Sequence, residues 1–427
     1  MSLAAASTTS NNYQLRIWLT WLGVIALVFL LLVGVGVIGN GFKWLSGGTS
    51  GAEKIFSFAS NPIVGVILGT LATALVQSSS TVTSVIVGLV AGGVPVSIAV
   101  PMIMGANMGT TITNTIVSLG NIRNGKTFNK SFQAATVHDF FNLYGVLIFL
   151  PIEIMFHPLE KLAGVMSAWF AGGADASIKG ANIIGAITKP AAKSIMGIFD
   201  SLPATLGAIL TIATGIVLII VSVIYLGQLL RSAMTGRAKA LVDKSIGRGP
   251  VAGIASGTII TVLVQSSSTT TSLVVPLAGS GALTTKQVYP FTMGANIGTC
   301  ITALLAATAI TGQFEQVALQ IALVHLLYNI FGVLVFTTVP WLKNLPLRSA
   351  EWLGNRAEES RLWAFGYIAG LFFVLPGMVI GGQAAWGMLG EDALVAGEEV
   401  ISLVDTELTD GPMASEHSLA KTARVLP

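Results

Sequence analysis

Residues 77–84 read QSSSTVTS and residues 265–272 read QSSSTTTS, identical at seven of eight positions. Two further pairs follow in the same order. Residues 104–113 (MGANMGTTIT) match 293–302 (MGANIGTCIT) at eight of ten positions, and 137–147 (VHDFFNLYGVL) match 324–334 (VHLLYNIFGVL) at six of eleven. The offsets are 188, 189 and 187, so order and spacing survive together. Three blocks in register identify an internal duplication.

Composition says where the duplicated chain lives. Of 427 residues, 53% are hydrophobic and only 10% are Asp, Glu, Lys or Arg, against roughly 25% charged in a soluble domain. No charged residue or histidine occurs from Ile55 to Ile122, and Lys286 is the only charge from Gly249 to Phe314. Each run can cross a bilayer more than once at ~20 residues per span. This excludes a soluble enzyme, a disordered protein and a nucleic-acid binder. One cysteine, Cys300, excludes a disulfide framework. His138, His157, His325 and His417 lack zinc-type spacing, so no metal centre is expected and no cofactor. The fold class is an all-α polytopic membrane protein.

Apolar segments lie at 17–38, near 62–92, 98–120, 134–152, 205–230, 251–280, 290–311, 318–340 and 363–389. The first exceeds the about 7–15 residues of a signal h-region and is read as a retained helix. The 62–92 and 251–280 segments are broken by polar clusters at membrane depth. Such backbone is tolerated only against protein or a water-filled cavity, so they read as re-entrant or discontinuous helices. The expected organisation is a cytoplasmic N-terminus (1–16), a first repeat unit (17–155), an extracytoplasmic loop (156–204), a second repeat unit (205–340), a linker with a last transmembrane segment (341–390) and an acidic tail (391–427). Loop charge suggests that the repeats are inverted. Residues 121–130 carry Arg123, Lys126 and Lys130, whereas the equivalent 311–317 carry only Glu315. Five basic residues between Arg231 and Pro250 mark that segment as cytoplasmic.

Six of seven side chains in 78–84 bear hydroxyls, and all seven do in 266–272. Ser and Thr scattered on membrane helices act as glue. A consecutive run faces every direction around a helix, and stranded hydroxyls are costly in hydrocarbon. Duplicated runs therefore point to a binding site at the repeat interface. No carboxylate lies in these repeat cores, which disfavours a proton relay. Neutral hydroxyl, amide and carbonyl oxygens suit a partly dehydrated Na⁺, while broken helices offer N–H groups that bind anions. Such a cavity holds an oxyanion when Na⁺ enters with it. The competing readings are symport of another oxyanion or a small carboxylate, and an ion channel.

Several residues sit at matched positions. Gly105, Gly109, Gly294 and Gly298 either admit the ligand to the backbone or pack helices, and Gly105 and Gly294 are assigned a structural part. His138 and His325 are each followed four residues on by Asn142 and Asn329, so each pair shares a helix face. An interhelical hydrogen bond is favoured for them over ligand contact. Asp139 adjoins only the first histidine and has no evident role. Cys300 is expected to be reachable by a thiol reagent if its block lines the cavity.

These motifs resemble the type II sodium-dependent phosphate cotransporter family. The resemblance rests on QSSS at 77–80 and 265–268, the GANxGT blocks at 105–110 and 294–299, TNTIV at 113–117 and ATVHDFFN at 135–142. It covers roughly residues 60–340 and implies an inverted-repeat symporter that imports inorganic phosphate with Na⁺ across the plasma membrane. Carried over, Gln77, Ser78, Ser79, Ser80, Gln265, Ser266, Ser267 and Ser268 line the substrate cavity, with Asn107 and Asn296. Ser266, Thr299 and Thr302 match a sodium site, joined by Gln265 and the first-repeat counterparts Gln77, Thr110 and Thr113. The implied partners are phosphate, Na⁺ and the lipid bilayer, with no nucleic acid. Electrogenic members carry an aspartate shortly after NTIV. Counted without gaps, Asn124 stands there, which implies electroneutral transport.

Overall fold

The computed structural model describes residues 3–47, 60–172, 175–234 and 248–383. The acidic tail and most of the basic 231–250 segment lie outside the described residues.

The described residues are helical, with seven helices long and apolar enough to cross a membrane. Helix α1 spans Leu3–Ser46. It runs through the expected N-terminal segment without a break, and its 44 residues measure about 66 Å, twice a hydrocarbon core of ~30 Å. The first repeat unit, which includes the apolar part of α1, also holds α2 (Pro62–Val76), α3 (Ser79–Ala91), α4 (Val96–Gly109), α5 (Ile112–Leu119) and α6 (Gly125–Phe156). Helices α7 (Pro158–Gly172) and α8 (Asp175–Gly197) follow. The second repeat holds α9 (Ala204–Met234), α10 (Pro250–Val264), α11 (Ser267–Gly279), α12 (Thr285–Ala307) and α13 (Glu315–Thr338). Helix α14 (Pro340–Glu359) and α15 (Leu362–Ala369) continue into a π-helical turn at Gly370–Val374.

One expectation needs correction. The described residues of the 156–204 stretch form α7 and α8 rather than an open loop, and the buried Glu153 carboxylate accepts from the backbone N–H of Leu159 (2.9 Å) and Glu160 (3.0 Å) and caps α7. The linker expected at the start of 341–390 is α14. Its apolar face, including Leu347, Ala350 and Leu353, is buried against α6.

Packing is matched between the halves. Helix α2 packs along α4 and α10 along α12; α6 takes α14 and α13 takes α7. The halves also interlock, since α3 packs on α12 and α13, and α11 packs on α5 and α6. The central core joins Leu31, Ile86, Ile103, Met104, Ile321 and Val324. Glycine permits the closest crossings. A Cβ at Gly105 would lie 1.9 Å from the Val66 carbonyl oxygen, and one at Gly294 would lie 1.9 Å from that of Ile254. Thr70 and Thr258 hydroxyls tie these crossings by donating to the carbonyls of Gly105 (3.2 Å) and Gly294 (3.0 Å).

Candidate functional site: two matched helix breaks on one cleft

Each QSSS motif is a helix break. Gln77 (φ 57°, ψ 27°) and Gln265 (φ 54°, ψ 31°) end α2 and α10 in the left-handed region, which costs a non-glycine residue roughly 1–2 kcal/mol. Side-chain bonds offset that cost. The Gln77 amide nitrogen donates to the Ala74 carbonyl, and that of Gln265 donates to Val262 O at 2.6 Å. Their amide oxygens accept from the hydroxyls of Thr113 (2.8 Å) and Thr302 (2.9 Å). The following serines are extended and cap the next helices: Ser78 Oγ accepts from Thr81 N–H and Ser266 Oγ from Thr269 N–H, both at 3.2 Å. The sequence thus folds, twice, into a glutamine elbow followed by a fresh helix N-terminus.

Both elbows open on one cleft of about 400 Å³, lined by Gln77, Ser78, Thr113, Gln265, Ser266 and Ser268 with Val223 to Gly227 of α9 on its wall. The lining carries no charged side chain. Ser79, Ser80 and Ser267 are buried behind it, Ser79 and Ser267 at 3% exposure. Most of the remaining hydroxyls bond within their own helix. Ser84 donates to Ser80 O (2.8 Å), Thr270 to Ser266 O (2.9 Å) and Thr271 to Ser267 O (2.8 Å). The run is therefore not stranded even where it faces away from the cleft. Thr110 and Thr299 are buried and donate to Ala106 O and Ala295 O, both at 3.0 Å, which leaves their oxygen lone pairs available.

Asn107 and Asn296 stand away from the cleft lining, and their amides are occupied across the repeats. Asn107 Nδ2 donates to Asn329 Oδ1 (2.7 Å), and Asn107 Oδ1 meets His325 Nε2 (3.1 Å). Asn296 Nδ2 donates to Asn142 Oδ1 (2.7 Å), and Asn296 Oδ1 meets His138 Nε2 (2.7 Å). The GAN asparagine of each repeat is clamped by the histidine and asparagine of the other. Cys300 is fully buried beside the His325–Asn329 pair, with Sγ near the carbonyls of Asn296 (3.4 Å) and His325 (3.5 Å). It does not line the cleft, so the condition attached to its accessibility is not met. Gly105, Gly109, Gly294 and Gly298 all abut a neighbouring helix rather than the cleft.

Asn114, Thr73 and Thr261 escaped the sequence reading, and Asp139 was noted there without a role. Asn114 Oδ1 accepts from Ser272 (3.2 Å) and shares the Thr271 hydroxyl proton (2.8 Å) with Ser267 O, linking α5 to the second hydroxyl run. Asp139, a carboxylate absent from the expected core, is buried; Oδ2 accepts from Thr115 (3.0 Å) and Tyr367 (3.2 Å), while Oδ1 has no partner. The broken symmetry beside His138 was its signal. Thr73 and Thr261, four residues before the glutamines, keep buried hydroxyls without partners. Asn124, by contrast, caps α6 by accepting from Thr127 N–H (3.3 Å).

Comparison with known proteins now decides the family. The family model described as Na⁺/Pi-cotransporter matches residues 30–169 and 218–345, which contain both elbows and both clamps. The chain belongs to the Na⁺/Pi-cotransporter family. It is 31% identical to human sodium-dependent phosphate transport protein 2B over 86% of this chain and 66% of that protein. It is 31% identical to the rat 2A protein and 32% to the mouse 2A protein, each over 85% of this chain and 68% of the relative. This member of the family thus spans about two thirds of the length of these relatives. No solved structure gives a significant match.

Proposed function

We propose that this protein is a sodium-coupled symporter that imports inorganic phosphate across the plasma membrane, by alternating access of two inverted repeats. The observation that carries the reading is the pair of glutamine elbows on one uncharged cleft. Ser78, Ser266 and Ser268 with the first turns of α3 and α11 offer hydroxyls and N–H groups to phosphate oxygens. Buried Ser79, Ser80 and Ser267 belong to the same turns and shape them. Na⁺ takes neutral oxygens from Gln77, Thr110 and Thr113 in one repeat and from Gln265, Ser266, Thr299 and Thr302 in the other. Thr73 and Thr261 add two oxygens that nothing else in the protein engages.

Coupling follows from electrostatics. A cleft without a cationic side chain gives an anion no countercharge, and one without a carboxylate gives Na⁺ none; each ion makes the other tolerable at low effective dielectric. Asp139 adds a buried carboxyl group in α6, whose unpartnered Oδ1 is an oxygen available to a cation. The opposite charges of the 121–130 and 311–317 loops support inversion, and the matched packing of the halves suits rocking of one repeat against the other.

Labelled phosphate uptake into proteoliposomes tests the proposal. An inward Na⁺ gradient should drive accumulation above the external concentration, and K⁺ in place of Na⁺ should abolish it. Accumulation that ignores the Na⁺ gradient would refute the coupling. Downhill flux alone would indicate a channel.

A further inference from the structure

A second cavity, about 180 Å³, lies where α1, α3 and α12 end, between Lys43, Lys189, Asn40, Thr311 and Gln313. Its lining contains no acid. Lys43 Nζ stands 5.4 Å from the Phe314 ring centroid, an attraction that positions an ammonium without neutralising it. The ion pairs among the described residues are His157–Glu160 and Arg356–Glu359, so neither lysine has a carboxylate partner there. Thr311 Oγ1 is buried and lacks a hydrogen-bond partner. Two ammonium groups, two amides and an unused hydroxyl converge, and a cavity rich in donors with two like charges is relieved by an anion.

Size and position narrow the ligand. The cavity of about 180 Å³ has room for a tetrahedral oxyanion with several waters, since one water needs only about 10–15 Å³ of such space. Helices α1 and α9 run antiparallel, with Gly41 against Thr211, Gly34 against Ile219 and Gly23 against Leu229. The cleft wall at Val223–Gly227 is thus level with about residues 25–29 of α1, and Lys43 lies roughly 20–27 Å further along α1. The two cavities are separate.

We propose that this cavity is a second anion site, which binds a phosphate-type oxyanion as free inorganic phosphate or as a phosphomonoester lipid headgroup. Its lysines supply the countercharge that the cleft lacks. Binding here therefore needs no Na⁺, and it weakens with ionic strength because the lysines are exposed.

Equilibrium binding of labelled phosphate to the full chain in phosphatidylcholine nanodiscs, in sodium-free choline buffer, tests this. Saturable binding is expected. K43Q/K189Q should weaken it by about tenfold or more, since each lost charge contact is worth on the order of a factor of ten, while K43R/K189R should retain it. A parallel arm adds phosphatidic acid. Displacement of free phosphate by the lipid in the wild type, but not in K43Q/K189Q, assigns the headgroup as occupant. Absence of saturable sodium-free binding of both probes overturns the proposal, as does equal binding by K43Q/K189Q. Sodium-driven uptake is a separate measurement, and its failure would leave this result standing.

Discussion

His138 Nε2 lies 2.7 Å from Asn296 Oδ1, joining α6 of the first repeat to α12 of the second inside a fully buried interface. The geometry requires the imidazole to donate from Nε2, while Nδ1 faces the Asn114 amide at 3.4 Å. His325 repeats the Nε2 contact with Asn107, yet its Nδ1 has no partner. Position 303, equivalent to Asn114, is alanine, so the two clamps share geometry without being equally anchored.

The clamp should show as coupling energy. His138→Ala and Asn296→Ala should each destabilise the protein by about 1–3 kcal/mol, because each leaves a buried polar partner unsatisfied. The double variant should lose less than the sum by ~0.5 kcal/mol or more. Additive losses in thermal or denaturant unfolding would mean that the contact carries no energy.

Hydroxyls of the same motif should separate by position. Ser268→Ala removes a cleft oxygen and should raise the phosphate half-saturation about tenfold with unfolding temperature unchanged. Ser84→Ala removes a hydroxyl that bonds only to Ser80 O, so uptake should stay at the wild-type level. Equal effects from both would dissolve the distinction between cleft and scaffold.

Thr302→Val keeps the shape of a buried side chain and deletes the oxygen held by Gln265. The Na⁺ half-saturation for uptake should rise about tenfold, with phosphate affinity at saturating Na⁺ little changed. A shift confined to phosphate would move Thr302 out of the sodium set.

Gly105→Ala and Gly294→Ala place a methyl inside the radius of a backbone carbonyl on α2 or α10. Overpacking of this kind costs about 1–3 kcal/mol or more, and here neither partner is a flexible side chain. Both variants should elute as aggregates or unfold at markedly lower temperature. Gly366→Ala, with open space around it, should behave as wild type.

Cys300 should resist small polar thiol reagents in the native protein and react fully after unfolding. Phosphate and Na⁺ should leave its rate unchanged, since the thiol faces the clamp. Fast native labelling that responds to the ions would return this face of α12 to the cavity.

The elbows and their partners were legible because a repeat shows twice whatever it needs, and a polar run at membrane depth must face protein or a water-filled cavity. Periodicity could not reveal that Ser84, Thr270 and Thr271 bond to their own helices, since hydroxyl-to-carbonyl bonds leave no mark on sequence. The cross-repeat partners of the GAN asparagines were hidden for a related reason. An amide buried in a membrane protein serves a ligand or a neighbouring helix equally well, and only the distances to His325 and His138 separate the two. Asp139 was visible as a break in symmetry, but its depth and free oxygen belong to tertiary packing, as does the capping by Glu153 that turned an expected loop into α7.

The brevity of the broken helices bears on how the chain is made. Helices α2, α3 and α10 have 15, 13 and 15 residues, or about 20–23 Å each, short of a ~30 Å hydrocarbon layer. None can be threaded through the bilayer as an independent span, and each adjoins a polar elbow that lipid cannot solvate. During biogenesis the first elbow must wait, at the interface or shielded by other helices, until α12 and α13 have been synthesised to cover α3. The nascent first half is therefore a poor substrate for release into lipid, and the interval between completion of α6 and arrival of α13 is when quality-control proteases would find the chain most vulnerable.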